Sequence, residues 1–162
     1  MVGFITRPIR TPAAKNDRFQ IIENICGAAR VFCLLSDGEL QEGATWEAAL
    51  AGAHYQLDDL YAFIDCNNQQ ADGPPSSVMG VEPVREKWEA FGWEAREADG
   101  NDVAAILATL ADAGRVTSRP KAIVLRTLMG RGVPLFEQRE KNHFIRVDAG
   151  DWELARRQLE ES

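Results

Sequence analysis

Ser36-Asp37-Gly38-Glu39-Leu40-Gln41-Glu42-Gly43 closes an apolar run, Val31-Phe32-Cys33-Leu34-Leu35. Asp65-Cys66-Asn67-Asn68 closes a second, Leu60-Tyr61-Ala62-Phe63-Ile64. Each run reads as a buried strand ended by a turn signal. Between them, over about residues 43–56, Trp46, Leu50, Ala53 and Leu57 recur at helical spacing and predict one apolar stripe. Ala48, Ala49, Ala51, Gly52 and Ala53 make that helix slim, which suits close packing on a sheet or close approach of a partner subunit. Thirty residues separate Asp37 from Asn67, a natural length for strand, helix and neighbouring parallel strand. A right-handed crossover places both turns on one sheet edge, outside the strand C-terminal ends where open α/β sheets bind ligands.

Outward from this unit the alternation continues. A polar loop, 67–75, carries strong turn signals. A helix is expected over 81–91, with Val84, Trp88 and Phe91 on one face and Gly92 as its stop. Residues 93–97 alternate like a strand. Asp99-Gly100-Asn101 is a turn that also caps a helix over 102–113, whose Val103, Ile106, Leu107 and Leu110 share a face. Residues 121–127 form another strand, 129–132 a loop, and 152–159 a final helix. The expected architecture is α/β, a mainly parallel sheet with helices on both faces. It divides into an extended, poorly legible segment at 1–30, the α/β domain at 31–147 and a C-terminal helix at 148–162. Within the first segment Asn16-Asp17 could cap a short helix stopped by Gly27.

The chain has 162 residues, room for one α/β domain, and 45% hydrophobic with 27% charged residues. A net charge of −7 argues against a general nucleic-acid or anionic-membrane surface. No apolar run has the length of a membrane span, and the N-terminus lacks the apolar core of a secretory signal. Three cysteines without metal-ligand spacing read as reduced thiols of a cytoplasmic protein. Two histidines exclude a three-histidine metal site within one chain.

Asp37 offers a carboxylate and Asn67 an amide oxygen at adjacent strand ends. Magnesium takes oxygen ligands in octahedral geometry and is usually completed by water and substrate phosphates. Two side chains, the backbone carbonyl of Gln69 and two diphosphate oxygens would nearly fill that shell. From the residues alone an ordinary pair of turns remains an equal reading, because Asp-Gly and Asn-Asn are common turn sequences.

The flanks add a resemblance. Ser36-Asp37-Gly38-Glu39-Leu40-Gln41-Glu42-Gly43-Ala44-Thr45-Trp46-Glu47, Leu57-Asp58-Asp59-Leu60 and Ile64-Asp65-Cys66-Asn67-Asn68-Gln69-Gln70-Ala71-Asp72-Gly73 resemble the thiamine diphosphate motif of transketolases. The likeness is strongest to the N-terminal subunit of the split, two-gene kind. It continues through Phe91-Gly92-Trp93-Glu94, Asp99-Gly100-Asn101-Asp102 and Arg126-Thr127-Leu128-Met129-Gly130-Arg131-Gly132, and covers roughly residues 31–146. The resemblance implies thiamine diphosphate as cofactor and magnesium (or calcium) held by Asp37, Asn67 and the Gln69 carbonyl. Gly38 and Asn67 would contact the diphosphate. Glu42 would lie between paired active sites, or else be a solvated first-turn glutamate favoured by the helix dipole. His143 would face cofactor and substrate, with a surface histidine as its rival reading.

The implied activity is transfer of a two-carbon ketol unit between sugar phosphates, for which the cofactor supplies the carbanion chemistry. A C-terminal pyrimidine-binding transketolase subunit would be required as partner, self-association is expected, and the isolated chain would be inactive. Three departures bear on this. Ser36 stands where the family has glycine, and would be strained if that position needed a positive φ. Phe144 follows His143 where glycine is usual. Residues 1–30 match none of the family's upstream substrate-handling segment, so the chain reads as truncated there, with an altered reading frame and genuine divergence as the open alternatives. Two further functions stay open: an incompetent interaction or structural fragment, and a thiamine-dependent acyl or ketol transferase of a specialised biosynthetic pathway.

Overall fold

The structure, a computed structural model, describes residues 5–8, 29–116, 118–139, 142–143 and 146–161. Among the described residues five strands form one sheet: β1 (Ile5–Pro8), β2 (Ala29–Ser36), β3 (Leu60–Cys66), β4 (Glu94–Asp99) and β5 (Lys121–Arg126). Their spatial order is β1-β2-β3-β5-β4. β1 runs antiparallel to β2, with Ile5 opposite Phe32. The other four are mutually parallel, with Ser36 opposite Asp65 and Asp65 opposite Leu125. The expected helix of residues 16–27 lies outside the described residues.

Parallel register brings the C-terminal ends of β2, β3 and β5 to one edge, as the alternation of strand and helix requires. After β2 comes a 3-10 turn, Gly38–Gln41, and then α1 (Gly43–His54). The short α2 (Pro75–Val78) and α3 (Val84–Ala90) precede β4. α4 (Val103–Ala113) joins β4 to β5, and α5 (Pro134–Glu137) and α6 (Ala149–Glu160) follow.

One sheet face carries Leu35, Ala62, Ile64, Ala122 and Val124 beneath α1 and α3. The rings of Trp46, Trp88 and Trp93 fill this layer, with Trp88 and Trp93 edge to face at 4.7 Å. The opposite face presents Tyr61, Lys121 and Ile123, and the end of α4 at Gly114 abuts the Tyr61 hydroxyl. Helices thus cover both faces.

Two helix faces differ from expectation. On α1 the buried positions are Ala49 and Gly52, whereas Leu50 is 58% exposed and Leu57 falls beyond the helix. The cause is Trp93: its Nε1 donates to the Ala49 carbonyl at 2.8 Å, and a Cβ on Gly52 would sit 2.9 Å from its ring. Small residues admit the indole, so the slim side of the helix meets the core. On α4, Val103 and Leu107 are 70% and 60% exposed, and Ile106 and Leu110 are half-buried. The cap of α4 is Asp102, which accepts from the Ala104 and Ala105 N–H groups; Asp99 instead closes the preceding turn by accepting from Asn101.

Candidate active site

Ser36 ends β2 in a capping box. Its N–H donates to Glu39 Oε2 at 2.8 Å and its Oγ accepts from the Glu39 N–H at 3.2 Å, the reciprocal pattern that Ser-x-x-Glu favours. The strain considered for a serine here does not arise. Outside glycine, the described residues with positive φ are Gln56, Asn68 and Ser118.

This turn fixes Asp37 in the interior, 3% exposed. Its N–H donates to the Asp65 carbonyl across the β2–β3 gap at 3.0 Å. Its Oδ2 accepts from the Asn68 N–H at 2.9 Å. Asn68 reaches it by adopting φ 59°, a left-handed conformation that asparagine tolerates well. Burial pushes the Asp37 carboxyl above the usual range, the Asn68 N–H partly offsets this, and the nearby Asp65 charge adds to the rise. Asp37 Oδ1 is buried without a hydrogen-bond partner among the described residues. A buried carboxylate oxygen in that state costs about 1–3 kcal/mol unless something meets it. A cation is the partner that would also relieve the charge.

Asn67 lies in the loop that follows β3. Its Oδ1 accepts from the Gln69 N–H at 2.8 Å, and its Nδ2 donates to Asp65 Oδ2 at 3.0 Å. Gly38 admits the same loop, since a Cβ there would lie 2.9 Å from Gln70 Oε1. Asp37, Gly38, Asn67 and Gln69 are therefore one cluster. Among the described residues no three His, Cys, Asp or Glu side chains converge on a metal-sized point. One carboxylate and one amide oxygen, completed by a backbone carbonyl and phosphate oxygens, is a donor set that magnesium accepts. The residues fit the ion.

Gln69 also reaches outward. Its Oε1 accepts from the Asn142 N–H at 2.8 Å, and its Nε2 donates to the Arg139 carbonyl at 3.4 Å. His143 follows Asn142 and is exposed, so the structure brings its segment to the cluster through Gln69. Glu42 is exposed and stands at the N-cap of α1, just beyond the 3-10 turn.

Sequence reasoning assigned no role to two neighbours. Asp65 Oδ1 accepts from the Thr127 hydroxyl, and Thr127 also donates its N–H to the Cys66 carbonyl at 3.3 Å. Burial pushes the Cys66 thiol up to about 12, which disfavours its thiolate. Beyond Thr127 the edge opens into a cleft lined by Glu97, Asp99, Asn101, Arg126 and Arg131. Arg126 is committed there to Glu82 and Glu97.

The profile of the transketolase thiamine diphosphate binding domain matches residues 7–160. A transketolase family protein of Sinorhizobium fredii is 46% identical over 123 residues, covering 75% of this chain and 44% of that protein. A 6-deoxy-6-sulfo-D-fructose transketolase subunit of a Clostridium species is 34% identical, covering 80% and 47%. An apulose-4-phosphate transketolase subunit of Phocaeicola vulgatus is 36% identical, covering 82% and 47%. The chain thus spans about half the length of these curated relatives. Among solved structures, the transketolase of Campylobacter jejuni superposes with a TM-score of 0.71 at 28% identity, over 80% of this chain and 20% of that one. This chain therefore belongs to the transketolase family, which it matches through the thiamine diphosphate binding domain.

Proposed function

We propose that the chain is the thiamine diphosphate- and magnesium-binding subunit of a split transketolase, transferring a two-carbon ketol unit between sugar phosphates. The observation that carries this is Asp37: a buried carboxylate at the end of β2 with one oxygen unpartnered among the described residues, beside the Asn67 amide oxygen. Asp37, Asn67 and the Gln69 carbonyl would hold magnesium, with calcium as an alternative ion. Gly38 and Asn67 would meet the diphosphate. When bound, the cofactor supplies the carbanion chemistry of the transfer.

His143 would face cofactor and substrate from the segment that Gln69 tethers, and Glu42 would sit at the contact between paired sites. In the proposed split arrangement the pyrimidine end of the cofactor would be met by a partner subunit. The names of the relatives support a split arrangement, two of them being called transketolase subunits.

The test is ketol-transfer turnover by the chain co-purified with a pyrimidine-binding transketolase subunit. Turnover is expected with sugar phosphates and is expected to be lost in Asn67→Ala. A complex that assembles, binds the cofactor and turns over no ketose would favour a purely structural subunit. Turnover only with carrier-bound acceptors would favour the specialised biosynthetic transferase.

A further inference from the structure

We infer that Asp65 and Thr127 are positioning residues that turn the Asn67 amide oxygen toward the metal; this rests on the proposed metal site of Asp37, Asn67 and Gln69. A side-chain amide has a donor end and an acceptor end of nearly equal shape, so only its partners decide which end faces a ligand. Around Asn67 both partners have fixed character. The Asp65 carboxylate can only accept, and it takes the Nδ2 hydrogen at 3.0 Å. The Gln69 backbone N–H can only donate, and it meets Oδ1 at 2.8 Å. Flipping the amide would set N–H against N–H and carbonyl against carboxylate. The oxygen that a hard cation needs is thereby held on one side.

Asp65 is itself held. Its second oxygen accepts the Thr127 hydroxyl, from a residue distant in sequence that parallel pairing delivers. Asp65 lies opposite Leu125 and Cys66 opposite Arg126, so Thr127 falls one step past the end of β5. Gly100 leaves room for it, because a Cβ there would lie 2.3 Å from Thr127 Cγ2. The Asp65 main-chain carbonyl meanwhile accepts the Asp37 N–H, so one residue supports both side-chain ligands. Both Asp65 carboxylate oxygens are engaged, whereas Asp37 Oδ1 is not, which makes Asp65 the orienting group and Asp37 the ligand. A carboxylate behind an amide N–H also raises the donor strength of its oxygen, as outer partners do for metal-bound histidine.

The experiment is calorimetric titration of Mn2+ into the full chain complexed with a pyrimidine-binding subunit, in the presence of thiamine diphosphate, with melting of the metal-free proteins in parallel. Thr127→Val is expected to weaken Mn2+ binding by roughly 10–100-fold, the range that outer partners command. Thr127→Ser, which keeps the hydroxyl, is expected to restore it, and Asp65→Asn to weaken it as Thr127→Val does. A Thr127→Val protein that binds Mn2+ as tightly as the unaltered chain would overturn the inference. So would a serine variant as defective as the valine one. If the unaltered chain binds and Asp37→Ala does not, yet Thr127→Val is normal, only the positioning role falls. If the unaltered chain does not bind, the metal site falls and takes this role with it.

Discussion

Asp37→Asn is expected to remove metal-dependent cofactor binding while leaving the metal-free protein at least as stable as before. The two effects share one cause. The carboxylate is buried, half-partnered and beside Asp65, so its folded pKa is raised. A raised carboxyl pKa means that the folded state holds the proton more tightly than the unfolded chain. Its favourable contribution is complete below the unfolded pKa near 3.8 and is lost as pH rises through the folded value. Wherever the group is ionised in the fold it therefore costs stability, and the isosteric amide relieves that cost. A gain of about 1–2 kcal/mol is expected from removing a buried unsatisfied charge, or roughly 2–8 °C in Tm for a chain of this size. Metal affinity should fall by more than the roughly 10–100-fold typical of outer partners, because a direct anionic ligand is lost. Thermal melts with and without Mg2+ check both halves. Magnesium should raise the Tm of the unaltered chain and leave that of Asp37→Asn where it was. A variant less stable than its parent without metal would contradict the assignment of Asp37 as a charge held for a cation.

Trp88→Ala should carry the largest cost to folding. Trp88 is 2% exposed, edge to face with Trp93 and within 5.6 Å of Trp46 between ring centroids. Truncating a buried tryptophan typically costs about 3–5 kcal/mol, against total stabilities of roughly 5–15 kcal/mol. The loss would loosen the layer that seats α1 and α3 and with it the strand edge they back. Trp88→Phe should cost much less than the alanine change, because Trp88 Nε1 is buried without a partner among the described residues and its removal relieves an unsatisfied donor. Urea denaturation of the two variants checks the order, and equal losses would contradict it.

The placement of the candidate site was legible where its residues sit at strand ends. Asp37 and Asn67 each follow an apolar run, and a short strand-helix-strand connection is enough to place them together. The Asp65–Thr127 contact was not legible, because it depends on the β3–β5 register across sixty-two residues and no local pattern encodes it. The Gln69–Asn142 tether was hidden for the same reason. Helix faces failed differently. Periodicity ranks positions by side-chain hydrophobicity and so selected Leu50, yet Trp93 needed the space above Ala49 and Gly52. On α4 the same ranking chose Val103 and Leu107, which this structure leaves exposed while Ala113 packs inward. Ser36 shows that a departure from a family pattern can be accommodated locally: its hydroxyl forms half of a capping box with Glu39.

The most direct test is calorimetric titration of thiamine diphosphate into the chain, with and without Mg2+ and with a pyrimidine-binding subunit present. Binding that requires Mg2+ and disappears in Asp37→Ala is the predicted result. Absence of binding, or binding indifferent both to Mg2+ and to Asp37→Ala, would contradict the assignment of this strand edge as a diphosphate-metal site.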